Sequence, residues 1–88
     1  MLTLALDRGC TAIEELEISN NHVTGGIEPL KGCTLLRELD LSHNWLSGGL
    51  ESLYSCTALQ FVYLLANEFV ASYHVKAYFE KQCQLFRV

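Results

Sequence analysis

The chain is short of basic charge. Six lysines and arginines stand against ten aspartates and glutamates, giving a net charge of −4 over 88 residues, whereas phosphate binding needs clustered Lys and Arg. Direct contact with nucleic acid is therefore not expected. Long hydrophobic runs are missing as well: no stretch of 18 apolar residues occurs, so no membrane-spanning helix is expected. The opening Met1-Leu2-Thr3-Leu4-Ala5-Leu6 is too short for a secretory signal and has no basic leader, which points to an intracellular protein, nuclear or cytoplasmic. Closely paired cysteines are also lacking. None of the four stands in a C-x-x-C spacing, so neither a zinc site nor another metal or cofactor is expected.

What the chain does have is an internal repeat centred on the stretch CTLLRELDLSHNWLSGGL, Cys33 to Leu50. Cys10, Cys33 and Cys56 follow one another at intervals of 23 residues, each with a threonine after it. Ile13, Leu36 and Leu59 come next in register, then Leu16, Leu39 and Val62, then Ile18, Leu41 and Leu64. The columns close with Asn21, Asn44 and Asn67 and with Val23, Leu46 and Phe69. Six aligned columns in three copies, written L-x-x-L-x-L-x-x-N-x-L, resemble the leucine-rich repeat, whose period is about 20–29 residues.

The pattern also has a direct physical reading. Leu39 and Leu41 alternate with Glu38 and Asp40, the period of two of a short strand with one buried and one wet face. Asn44 then stands at a bend, where a buried amide can bond backbone groups of adjacent coils. Gly25-Gly26 and Gly48-Gly49 let the chain turn outward, and Ile27, Leu30, Leu50 and Leu53 return to the interior on the convex side. A single coil cannot bury its apolar inside, so stacking makes the core. The expected fold is an α/β leucine-rich repeat solenoid, with a short parallel sheet on the concave face, irregular or 3-10 turns on the convex face and a C-terminal capping helix. At this length there is room for one domain, burying about 60–65% of its unfolded surface. Cys10, Cys33 and Cys56 should be reduced thiols lying side by side on the inner wall, about 4.8 Å apart, with parallel side chains that do not point at one another.

Residues 1–9 read as a partial N-terminal coil or edge, 10–70 as three repeats, and 71–88 as a cap helix followed by the start of a fourth strand. In the first segment Leu4, Arg8 and Gly9 align with Ile27, Lys31 and Gly32. Either Leu2-Leu4-Leu6 forms a short edge strand or the chain belongs to a longer array. At the other end Val75, Phe79, Cys83 and Phe86 recur at helical spacing, and Ser72 is placed to cap the helix. Leu85 and Val88 repeat the spacing of Leu59 and Val62. A fourth strand would be only begun.

The wet faces of the strands carry the functional expectation. Glu15 and Glu17 align with Glu38 and Asp40, a two-by-two block of carboxylates flanked by Glu14 and Arg37. Such a block is either a solvated face or a docking surface for a basic segment of another protein; calcium is disfavoured, because a rigid strand face has no ligand-bearing loop. In the third repeat the acids give way to Phe61, Tyr63 and Leu65. Aromatic anchors beside a charged rim have the composition of a binding hot spot, unless the C-terminal segment or a second copy covers them. Trp45 is expected to project from the loop after the strand and extend this patch, or to pack on the neighbouring coil. His22, His43 and His74 fall on loops or the cap, with His43 in one column with Asn20 and Ala66. No nucleophile, base and acid converge, so no enzyme is expected.

Two finer resemblances follow. Tyr73-His74-Val75-Lys76-Ala77-Tyr78-Phe79 and Gln84-Leu85-x-x-Val88 look like the C-terminal cap of the short-repeat, phosphatase-regulator-like class. Leu41-Ser42-His43-Asn44-Trp45-Leu46-Ser47-Gly48-Gly49-Leu50-Glu51-Ser52-Leu53, with Gly25-Gly26-Ile27-Glu28 one coil earlier, is similar to the acidic leucine-rich nuclear phosphoprotein family. That likeness covers the repeats and the cap but not that family's acidic tail. It implies a protein-binding module, histones and phosphatase subunits being among such partners. The expected partner is a protein, basic where it meets Glu15, Glu17, Glu38 and Asp40. The alternative is an assembly subunit or phosphatase-regulator-like scaffold that joins other chains, copies of itself included, through its ends.

Overall fold

The structure, a computed structural model, describes residues 12–88 and the backbone of Leu2–Thr3. The expected alignments of Leu4, Arg8 and Gly9 and the inward placing of Cys10 lie outside the described residues. Strands β1 (Leu2–Thr3), β2 (Glu15–Glu17), β3 (Val23–Gly25), β4 (Glu38–Asp40), β5 (Trp45–Gly48), β6 (Phe61–Tyr63) and β7 (Glu68–Phe69) come first, followed by helix α1 (Tyr73–Gln82) and strand β8 (Leu85–Arg87). All the strand pairings described are parallel, in two sheets: β2-β4-β6-β8 and β1-β3-β5-β7.

Register in the first sheet follows the repeat. Glu15, Leu16 and Glu17 lie beside Glu38, Leu39 and Asp40, which lie beside Phe61, Val62 and Tyr63. The central residue of each strand points inward: Leu39 and Val62 are fully buried, whereas Leu16, at the first coil, is only half-buried. On the convex side two 3-10 turns, Glu28–Leu30 and Glu51–Ser55, bring Ile27, Leu30, Leu50 and Leu53 to the core, each with no exposed surface. The core is thus one continuous column of leucines, extended by Val75, Phe79, Cys83 and Phe86 from the closing segment.

Asparagine joins coil to coil. The amide of Asn44 donates to the carbonyl oxygens of Ile18 in the preceding coil and Leu41 in its own, at 2.9 and 3.0 Å. Its Oδ1 accepts from the backbone N–H of Val23 at 3.1 Å. Asn67 repeats this one coil later, donating to Leu41 and Leu64 and accepting from Leu46 N–H at 2.9 Å. These backbone groups sit where the chain leaves the first sheet, and without the amides they would go unpaired.

The second sheet is a departure from the expected convex side of turns alone. After each asparagine the chain runs extended for a few residues before Gly25 and Gly48, both at positive φ (88° and 91°), turn it outward. Trp45 accordingly belongs to a strand and not to a loop. A sharp corner precedes these strands: Asn20, His43 and Ala66 adopt the left-handed conformation at φ of 59°, 58° and 60°, a region that costs most L-residues and that Asn tolerates best. Repetition of the same strained angle in three coils shows that the corner geometry belongs to the stack and not to the residue type.

The closing segment differs from its sequence reading in two places. Helix α1 is capped by Ser72, whose hydroxyl accepts from Val75 N–H at 3.3 Å, but it ends at Gln82. Cys83 follows the last turn, and Phe86 lies on β8. Strand β8 is also a full strand, with Phe86 beside Val62 and therefore in the inward column expected for Val88. The helix takes the chain round with one more residue than a plain repeat would, and the register moves with it.

Candidate functional site

The outward side chains of the first sheet line a groove of about 560 Å³, formed by Glu15, Glu17, Glu38, Asp40, Phe61 and Tyr63 over a floor of Leu16 and Leu39. Sheet register brings them together: Glu15, Glu38 and Phe61 make one row across the strands, and Glu17, Asp40 and Tyr63 the next. Tyr63 keeps 38% of its surface exposed, and Leu65 48%. Trp45 is 59% exposed. It lies beside the same corner, because His43 N–H donates to the Leu65 carbonyl and Leu46 N–H to the Asn67 side chain, both at 2.9 Å. The eight residues singled out in the sequence thus split into six that line the groove and two, Leu65 and Trp45, that do not, Leu65 following β6 and Trp45 opening β5 in the other sheet.

The acids are not equivalent. Glu17 and Asp40 are held by serines two residues on. Asp40 Oδ1 accepts from the Ser42 N–H at 3.0 Å and hydroxyl at 2.6 Å. Glu17 Oε1 does the same with the Ser19 N–H at 2.6 Å and with its hydroxyl. The hydroxyl bond first, then the backbone bond, pull the Glu17 carboxyl below its ordinary value of 4.5 against the raising effects of desolvation and Asp40. These serine contacts fix both carboxylates in direction. The sequence signal for this is an acid two residues before a serine in both coils.

Glu15 and Glu38 behave differently. They lie opposite one another, and the hydrogen bond between them, which requires a proton, pushes Glu38 above 4.5, with desolvation and the Glu15 charge adding to the rise. Arg37 opposes it, its Nη1 standing 3.8 Å from Glu38 Oε1. Because the folded chain holds this proton more tightly than the unfolded chain, Glu38 lowers stability as the pH rises through and above 4.5. The Glu38→Gln variant should therefore gain on the wild type as the pH is raised from 4 to 7. Urea unfolding at the two pH values checks this, and a constant difference contradicts it.

The sequence missed one charge altogether. Arg87 on β8 is beside Tyr63, on the same outward face, and exposed; Leu85 likewise stands beside Phe61. Neither could be placed until α1 had set the register of β8.

Elsewhere the chemistry is quiet. Cys33, Cys56 and Cys83 are buried; burial, with Cys33 nearby, pushes the Cys56 thiol up to about 11, so it is protonated and unreactive. His22, His43 and His74 are all exposed and lie on separate segments. Among the described residues no three His, Cys, Asp or Glu side chains gather as a metal site, and no helix is long and apolar enough to cross a membrane.

No curated protein and no solved structure matches the chain. The family model of leucine-rich repeats does match, as two copies over residues 11–47. That span takes in β2 to β4, all but the last residue of β5 and both stacking contacts of Asn44. With the parallel sheets, the 3-10 turns and the closing helix, it identifies the architecture as a leucine-rich repeat solenoid, a fold that generally serves protein–protein interaction and is typically non-catalytic.

Proposed function

We propose that the chain is a non-catalytic protein-interaction module that seats a segment of a partner protein on its concave sheet. Glu15, Glu17, Glu38 and Asp40 meet basic side chains of that segment. Phe61 and Tyr63, extended by Leu65 and Trp45, meet apolar ones. The observation that carries the reading is the groove itself, in which register has put four acids and two aromatic rings on one face. Complementary charge on such a face directs encounter and register, while aromatic anchors contribute most of the affinity. The likeness of residues 41–53 to the acidic leucine-rich nuclear phosphoproteins supports a histone-like basic segment as the kind of partner, and the thiols of Cys56 and Cys83 support an intracellular setting.

The double reversal Glu38→Lys with Asp40→Lys tests the reading in a pull-down from cell extract. Capture of partner protein should be lost while the thermal unfolding midpoint stays within a few degrees, since both side chains point out of the sheet. Unchanged capture by the reversed chain counts against the groove. A second reading, an assembly subunit within a larger complex, is favoured by two features at the C-terminal end. Among the described residues the outer edge of β8 has no neighbour in its sheet, and Val70, just after β7, is 73% exposed. Mass in solution separates the two, and a clean monomer removes self-assembly.

A further inference from the structure

The concave face has a polarity that the acidic block alone does not show. One outward row crosses all four strands of the first sheet: Glu17, Asp40, Tyr63 and Arg87, in register. Its neighbour runs Glu15, Glu38, Phe61 and Leu85. Across the sheet the surface therefore passes from negative, through aromatic, to positive. Arg87 is exposed and makes no ion pair among the described residues, while Glu17 and Asp40 are anchored to Ser19 and Ser42.

From this row we infer that the partner segment is itself tripartite: a basic residue, an apolar residue two positions along and an acidic residue four positions along, read in one direction of its chain. The inference rests on the concave-face reading and adds to it the order of the partner's side chains. The distances set that order. Parallel strands lie about 4.8 Å apart, so the midpoint between Glu17 and Asp40 is about 7 Å from Tyr63 and about 12 Å from Arg87. Side chains on one face of an extended segment recur about every 6.6–6.8 Å. A segment crossing the strands thus sets its first residue between the two carboxylates, its third on Tyr63 and its fifth against the Arg87 guanidinium. A uniformly basic segment would instead bring like charge to Arg87, which penalises it and makes Arg87 the residue that discriminates among basic partners. Arginine suits the task, since its planar fork pairs with a carboxylate through two parallel hydrogen bonds.

Selection of a phage-displayed library of random 12-residue peptides on the whole chain tests this. Wild-type chain should enrich peptides with a basic, an apolar and an acidic residue at alternate positions. Arg87→Glu should weaken those peptides about 3- to 10-fold, and reselection on that variant should turn the acidic position basic. The unfolding midpoint serves as the control for folding. Enriched peptides that are basic and apolar only, bound equally by the wild type and Arg87→Glu, overturn the tripartite order and leave the concave-face reading standing. Peptides indifferent to Glu38→Lys with Asp40→Lys, or no enrichment at all, overturn both.

Discussion

Asn44→Ala is expected to lose about 3–5 kcal/mol of stability, because it strips partners from three backbone groups at a buried corner, each costing about 1–3 kcal/mol when left unpaired. Asn44 is 8% exposed, and its amide serves Ile18, Leu41 and Val23 across two coils. The bonds to Val23 and Leu41 are buried, where solvent is a poor substitute. A chain of this length has about 4–13 kcal/mol to lose, so the variant should sit at the edge of folding at 25 °C. Asn67→Ala should cost less, since Asn67 is only half-buried and lies near the end of the second sheet, where solvent can substitute. Urea unfolding followed by far-UV circular dichroism measures both. A loss under 1 kcal/mol for Asn44→Ala would mean that packing alone holds the coils in register.

Phe79→Ala should cost a comparable amount, about 3–5 kcal/mol, by a different route. Phe79 has no exposed surface and stacks between Tyr54 and Phe86, with ring centroids 5.3 Å away on both sides. Tyr78 closes edge-on over Tyr54 at 4.9 Å. This aromatic stack fastens α1 to the 3-10 turn of the second coil and to β8 together, and a ten-residue helix has little stability of its own. In a solenoid each coil leans chiefly on its neighbours, so the damage should stay at the closing end. Hydrogen exchange can see this directly. The N–H groups of Leu64 and Leu85, which donate to Arg87 and Gln60, should lose protection, while that of Ile18, bonded to Asp40, keeps it. Uniform loss along the chain would instead mean that the array opens as one unit.

Arg87 depends on the same stack. If Phe79→Ala detaches β8, the positive end of the concave face goes with it, and binding should then lose its preference for the acidic residue without the reversal to a basic one that Arg87→Glu produces. Stability at the cap and selectivity in the groove are thereby coupled through one strand.

Much of this was legible in the amino-acid order, for a physical reason. Leu39, Leu41 and Asn44 recur in every coil because each coil meets the same neighbours, so inward positions carry their identity openly, and Glu15, Glu17, Glu38 and Asp40 followed by alternation. Phe61 and Tyr63 were visible as exceptions to the acidic rule. The serine anchors of Glu17 and Asp40 are also written in the sequence, as Ser19 and Ser42 two residues on. The second sheet was not readable in the same way: Val23–Gly25 and Trp45–Gly48 are short and mixed in polarity, and they become strands only because parallel neighbours at the same corner offer hydrogen bonds. Three left-handed residues as unlike as Asn20, His43 and Ala66 make the same point.

Periodicity alone therefore established the coil, its inward face and the acidic half of the groove, since a repeat writes its local environment once per turn. Where the repeat stops, local pattern ceases to specify register. Helical spacing ran on through Cys83 and Phe86, and only the docking of Phe79 between Tyr54 and Phe86 decided that the helix ends at Gln82 and that Phe86, not Val88, lies beside Val62. That one contact put Arg87 next to Tyr63, because the position of a closing strand is set by what its segment packs against across the stack and not by the residues next to it in the chain.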